Sequence, residues 1–104
     1  MILELADIRI HPGRQNEFEE AAQRGLDTVL SKAPGFRKYE VRRSIESAER
    51  YVLLIHWASL EDHTVGFRNS PAYGEWRAIV GPLFAQPPVV EHFEFCAASN
   101  AAGG

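Results

Sequence analysis

The sequence of 104 residues has the length of one domain, and its 45% hydrophobic and 24% charged residues are typical of a folded rather than a disordered protein. Eleven basic against fourteen acidic residues give a net charge of −3 without a basic patch, so nucleic acid is not expected as a partner. The single cysteine, Cys96, excludes an internal disulfide and a multi-cysteine metal site. No apolar run approaches the roughly 20 residues that span a bilayer, and the N-terminus lacks the basic region of a signal peptide. We therefore expect a cytoplasmic protein that does not bind membranes.

The first two predicted elements are a strand and a helix. Residues 2–10 have the alternating pattern of a strand: four apolar side chains lie on one face, and Glu4 is the single polar residue on that face. From Phe18 to Leu30 apolar residues recur at spacings of three and four, which predicts an amphipathic helix that stops at Pro34-Gly35.

Two further strands are predicted after the helix. Phe36–Ile45 reads as a strand, and the polar residues 46–49 have the length of a hairpin connection into Arg50–Trp57. Both faces of Arg50–Trp57 are apolar, which predicts a central strand that is covered on both sides.

The remainder of the chain predicts two short helices and a last strand. Ser59, with an acidic residue three positions later, indicates a helix from Leu60, and Ser70 before a proline indicates a second helix. The last strand is predicted at Val89–Phe95. Residues 97–104 have no pattern and are expected to form a disordered tail after a single domain of residues 1–96.

This order of elements, β-α-β-β-α-β, predicts an α+β, ferredoxin-like fold with a four-stranded antiparallel sheet. Both helical regions then cover one face of the sheet. The other face is also partly apolar, and an uncovered apolar sheet is an interaction surface. We expect a homodimer in which two copies pack through this open face around a two-fold axis.

Five motifs together resemble the antibiotic biosynthesis monooxygenase family over about residues 2–95. They are PGF-x-x-Y (34–39), RS-x-E (43–46), W-x-S-L-E-x-H (57–63), F-R-x-S-P-x-Y-x-x-W-R (67–77) and PP-x-V-E-H-F (87–93). The resemblance implies a dimeric α+β barrel (ABM domain) and an oxidoreductase without a cofactor. Such monooxygenases oxidise phenols or quinols to quinones with O₂ and bind the small aromatic substrate between the sheet and the helices.

The resemblance also implies site residues. Trp57 and Arg77 look like the family's active-site tryptophan and arginine, whereas Leu53 stands where the family has an asparagine and His63 where it has a tyrosine. A haem-degrading branch of the family uses an axial histidine at about the position of Arg77, so haem degradation is not favoured. A related sugar-phosphate isomerase is similar around 57–63, but no motif singles it out.

Each candidate catalytic residue, His63, Arg77 and Trp57, has a functional and a structural interpretation. His63 is either the general base that removes a phenolic proton or a polar residue on a solvated helix face. Arg77 either stabilises the developing anion or is a surface arginine that pairs with Glu61 or Glu75. Trp57 is either part of an aromatic wall or core, and core is the commoner role of such residues.

The predicted substrate pocket is formed by apolar and aromatic residues, namely Leu53, Phe67, Tyr73 and Trp76. For Tyr73 the choice between pocket and core stays open. No histidine pair has a chelating spacing, so no metal is expected, and His92 is expected in strand-end hydrogen bonds or the dimer contact. The alternative function is a non-catalytic ligand-binding or stress-associated dimer, which Leu53 favours.

Overall fold

The computed structural model describes residues 1–100, and its elements follow the predicted order. The strands are β1 (Ile2–Arg9), β2 (Phe36–Arg43), β3 (Arg50–Trp57) and β4 (Val89–Glu94), and the α-helices are α1 (Gln15–Thr28) and α2 (Pro71–Val80). A π-helical turn, Asp62–Phe67, precedes α2, and 3₁₀ turns follow the helices at Leu30–Lys32 and Gly81–Leu83. Of the predicted tail, residues 101–104 lie outside the described residues.

The four strands form one antiparallel sheet in the order β2-β3-β1-β4, which confirms the ferredoxin-like fold. β3 lies between β2 and β1, as its two apolar faces predicted. β2 is shorter than expected, because it ends at Arg43 and Ile45 beyond it is 96% exposed. No helix of residues 1–100 has the length and apolar character needed to cross a membrane.

The core lies between the helices and one face of the sheet. Phe18, Ala22 and Leu26 of α1 are completely buried there, which confirms the apolar stripe of this helix. Gly25 lets the two helices approach closely, since a Cβ at this position would lie 2.7 Å from Cε3 of Trp76. The small residues of α1 therefore set its distance from α2.

The π-helical turn carries the side chains that matter for the site. Helical structure begins at Leu60 as predicted, and the Ser59 hydroxyl accepts a hydrogen bond from the backbone N–H of Asp62 at 3.2 Å. It then continues as a π-helix, with the N–H of Arg68 donating to the carbonyl of His63, five residues earlier, at 3.1 Å. Both His63 and Phe67 are buried by this turn.

Residues 1–100 leave the opposite face of the sheet uncovered. Its half-buried apolar side chains come from the two inner strands and include Leu3, Leu5, Val52 and Leu54. Phe93 on β4 adds a large apolar side chain that is 46% exposed. The prediction that β3 is covered on both sides is therefore met on one side only within a single chain.

Candidate functional site

A cavity of about 360 Å³ opens between the sheet and the helical segments, and we call it the central cavity. Its walls are mainly apolar and come from the core face of the sheet and from α2. Four polar side chains also line it, and they come from β1, the end of the π-helical turn and α2: Glu4, Arg68, Tyr73 and Arg77. The volume lies within the range of roughly 300–1,000 Å³ that is usual for small-molecule sites.

Glu4 is a carboxyl group on the core face of β1 and is only 6% exposed. The indole N–H of Trp57 donates a hydrogen bond of 2.9 Å to its Oε1. Burial raises the pKa of Glu4 to about 7, against the smaller opposing effects of the Trp57 hydrogen bond and the charge of Arg68. This carboxyl group therefore takes up and releases its proton much nearer to neutral pH than an exposed glutamate does.

His63 lies directly behind Glu4 and is 4% exposed, so it is not on a solvated helix face. Its ring stacks on Trp57, with centroids 5.2 Å apart and planes at 17°. Nε2 is 3.3 Å from Oε1 of Glu4. Burial, and then the charge of Arg68 and the proximity of His92, lower the pKa of His63 to about 4, so the imidazole is neutral at physiological pH.

His92 belongs to this group of residues: its side chain pairs with His63 rather than making the expected strand-end hydrogen bond, and its expected place in a dimer contact stays a prediction. It faces Glu4 across the β1–β4 pairing, and its Nε2 lies 2.8 Å from Nδ1 of His63. His56, by contrast, faces the open side of the sheet. Burial and the charge of Arg68 lower the pKa of His92 as well.

This arrangement does not form a chelating site. The two ring nitrogens of His63 are directed to different partners, Glu4 on one side and His92 on the other, so the three side chains do not converge on one point. Among residues 1–100 no group of three or more histidine, cysteine or acidic side chains is arranged to hold a metal ion.

Two guanidinium groups line the central cavity beside the carboxyl group. Arg77 donates a hydrogen bond of 3.2 Å to the hydroxyl of Tyr73, and its guanidinium carbon lies 5.9 Å from the centre of that ring. Within the described part of the chain, neither Arg68 nor Arg77 forms an ion pair, so the pairing of Arg77 with Glu61 or Glu75 does not occur. Both guanidinium groups are free to bind an anion.

The structure brings most of the sequence-predicted site residues to this cavity. Five of them line it, namely Leu53, Phe67, Tyr73, Trp76 and Arg77. Trp57 and His63 do not line it and lie behind Glu4, which they contact.

Sequence reasoning gave Glu4, Arg68 and His92 no role in the site. For Glu4 the signal was present, because strand alternation placed a carboxyl group on a face that is otherwise apolar. For Arg68 and His92 no local sequence pattern indicates such a role, since their roles depend on contacts between elements that are distant in sequence.

A second groove, of about 430 Å³, lies between α1 and β2. Its polar groups already bind one another: Glu19 accepts hydrogen bonds from the Tyr51 hydroxyl at 2.6 Å and from Arg43 at 3.2 Å. These contacts tie the helix to the sheet. The central cavity, with its unpaired guanidinium groups and buried carboxyl group, is therefore the candidate site.

Comparison with known proteins gives consistent results. The family model described as antibiotic biosynthesis monooxygenase matches residues 1–79. The Bacillus subtilis protein YczJ, itself uncharacterized, is 36% identical over 94 residues, which are 90% of this chain and 98% of that protein. The structure of a candidate antibiotic biosynthesis monooxygenase from Bordetella bronchiseptica is 36% identical, covers 92% of this chain and 97% of its own, and superposes with a TM-score of 0.87.

A more distant structure shares the fold. It is a monooxygenase from the gene ActVA-Orf6 of Streptomyces coelicolor in complex with Nanaomycin D. It is 20% identical to this chain, covers 97% of this chain and 92% of its own, and has a TM-score of 0.81.

Proposed function

Since the chain belongs to the antibiotic biosynthesis monooxygenase family, we propose that it is a monooxygenase that oxidises a small phenol or quinol with O₂ and without a cofactor. The observation that carries the proposal is the composition of the central cavity. It combines apolar walls with a carboxyl group whose pKa burial raises to about 7 and with two unpaired guanidinium groups. These are the groups needed to remove a proton from an aromatic hydroxyl and to stabilise the anion that results.

The reaction needs no electron donor other than the substrate. A phenol that becomes a quinone gives four electrons to one O₂; one oxygen atom enters the ring and the other leaves as water. Deprotonation starts the sequence, because the phenolate is a far better one-electron donor to O₂ than the phenol. The protein has only to remove the proton, hold the anion and keep the cavity dry.

We propose that Arg77 stabilises the phenolate anion and that the buried pair of Glu4 and His63 removes the phenolic proton. Arg77 lines the cavity and is held by Tyr73, so its charge is oriented before substrate binds. Trp57 contributes by donating its indole N–H to the Glu4 carboxyl group. Phe67 and Trp76 supply flat apolar surface for an aromatic ring.

The proposal includes a homodimer formed through the open face of the sheet. That face presents Leu54 between half-buried apolar neighbours and Phe93 at 46% exposure, an apolar surface that a second copy would cover. We also propose a cytoplasmic location, since the thiol of Cys96 is free and exposed, which suits a reducing compartment.

The alternative is a dimer that binds an aromatic ligand in the same cavity without turnover. Leu53, which is 1% exposed and lines the cavity, favours it, because the side chain offers no hydrogen bond to a reacting oxygen. Binding without oxygen consumption distinguishes this function from the first.

The test is oxygen consumption by the purified protein, without added metal or flavin, against a panel of quinols and polycyclic phenols. We expect protein-dependent uptake that falls about 100-fold in Arg77→Ala, the size of effect that one oriented charge has on such a step. Arg24→Ala is the matched control, because Arg24 is exposed on α1 and its ion pair within residues 1–100 is with Glu20 at 3.6 Å. Uptake at the uncatalysed rate across the panel, with tight binding of a panel member, would replace the oxygenase by the ligand-binding dimer.

A further inference from the structure

Three titratable side chains from three separate elements form a continuous line from the central cavity outward. Glu4 lies on β1, His63 on the π-helical turn and His92 on β4. Oε1 of Glu4 is 3.3 Å from Nε2 of His63, and Nδ1 of His63 is 2.8 Å from Nε2 of His92. Neighbouring groups in the line are thus within or close to hydrogen-bond distance.

Only the first member of this line reaches the cavity. Glu4 lines it, whereas His63 is 4% exposed and has both ring nitrogens engaged. The contacts of the carboxyl group fall on one oxygen, because Trp57 and His63 both approach Oε1. Among residues 1–100 no group donates to Oε2, which leaves this atom to accept a proton from a bound molecule.

The outer end of the line reaches solvent. His92 is only partly buried on β4, an edge strand that pairs with β1 alone. The charged and titratable groups that face the line are Arg68, at the end of the π-helical turn, and Arg77 and Tyr73 of α2, which line the same cavity. Burial, and then the positive charge of Arg68, lower the pKa of both imidazoles and keep them neutral, the state in which a histidine accepts a proton on one nitrogen and releases one from the other.

We propose that Glu4 is the catalytic residue that takes the proton directly from the substrate hydroxyl, and that His63 and His92 carry this proton to solvent. The proposal rests on the proposed function and assigns its proton transfer to specific atoms. The O–H bond of the substrate breaks, and a new O–H bond forms at Oε2 of Glu4. The acid group then turns about its Cγ–Cδ bond, which brings the protonated oxygen to His63, and this proton passes to Nε2 of His63. Nδ1 of His63 gives its proton to Nε2 of His92, and Nδ1 of His92 releases one to water.

The first arm of the test is done under nitrogen with 2-naphthol, a phenol that stays protonated in neutral water and absorbs at longer wavelength as its anion. Without O₂ the result does not depend on whether the protein is an oxygenase. We expect the wild-type protein at pH 8 to produce the naphtholate band in stopped flow, and Glu4→Gln to bind 2-naphthol within about threefold of wild-type affinity but to form the band at least tenfold more slowly. Glu20→Gln, on the exposed side of α1, is expected to behave as wild type.

Absence of the naphtholate band with the wild-type protein, or formation of the band at the wild-type rate in Glu4→Gln, would overturn the assignment of Glu4. Uptake of O₂ without this dependence on Glu4 would leave the oxygenase standing and remove only this inference.

The second arm follows release of the proton by stopped flow with a pH-indicator dye in weak buffer. In the wild-type protein we expect proton release to keep pace with growth of the naphtholate band. In His92→Phe the band is expected to form at the wild-type rate while release slows at least tenfold, and added imidazole is expected to restore it. A purely structural role for His92 would not give this rescue, and equal release rates in the two proteins would overturn the relay.

Discussion

The buried pair of Glu4 and His63 predicts two variants whose stabilities change with pH in opposite directions. The pKa of Glu4 rises from 4.5 to about 7 on folding, so its contribution to stability is fully present below pH 4.5 and is lost as pH rises through about 7. The pKa of His63 falls from 6.5 to about 4, so its contribution is fully present above pH 6.5 and is lost as pH falls through about 4. Each difference corresponds to about 3 kcal/mol, since one pKa unit is worth about 1.4 kcal/mol.

Between pH 6.5 and 4.5 these contributions cancel in the unmodified protein. Folded and unfolded chains each hold one proton on the pair, on Glu4 when folded and on His63 when unfolded, so the pair adds no pH dependence there. When one member of the pair is replaced, the pH dependence that the other contributes to stability is no longer cancelled. As pH falls across this interval, Glu4→Gln is expected to lose about 3 kcal/mol of unfolding free energy relative to wild type, and His63→Gln to gain about as much.

The assay is urea denaturation at several pH values and at one fixed protein concentration, because dimerisation would make stability depend on concentration. Glu20→Gln is the control, since its carboxylate is 81% exposed, and its curve is expected to run parallel to that of the wild type. Parallel curves for Glu4→Gln and wild type would refute the reasoning, because they would mean that the folded protein does not hold an extra proton on Glu4.

Three further predictions concern other parts of the structure. Trp57→Phe removes a hydrogen bond that lowers the pKa of Glu4, so the pH midpoint of the rate of naphtholate formation is expected to move upward by up to about one unit; an unchanged midpoint would show that this hydrogen bond does not act on Glu4. Gly35→Ala is expected to cost more than about 2 kcal/mol in urea denaturation and Gly13→Ala only about 1, because both have positive φ but only the first would clash with a side chain of the π-helical turn. Leu54→Asp on the open face is expected to give monomers in light scattering, and a dimer of unchanged size would place the interface elsewhere.

The fold was predictable because its signals are local. Alternation marked the strands, a spacing of three and four marked α1, and Ser59 marked the start of the helical turn. The errors are of two kinds. Ile45 was placed in a strand because its side chain is apolar, although no partner strand extends to it, and the π-helical turn leaves no mark in the sequence because it differs from an α-helix only in which carbonyl each N–H reaches.

The candidate site was predictable in part. Residues on one helix, such as Tyr73 and Arg77, share a face by spacing alone, and that face does border the cavity. Glu4, His63 and His92 meet only because β1, the π-helical turn and β4 are brought together by the whole fold. No spacing rule links residues so far apart, so a carboxyl group that strand alternation placed in the core was left without a role.

The sheet and the helices divide the site into a rigid part and an adjustable part. Glu4 sits on a strand that is hydrogen-bonded along both edges, and such a position exchanges its amide hydrogens slowly and tolerates little displacement. Arg68 and Arg77 are exposed side chains on the helical segments at the other wall of the cavity. A library that varies Arg68 while Arg77 is kept would therefore alter which anions are accepted without moving the proton acceptor, which makes the cavity a convenient starting point for changing substrate range by directed evolution.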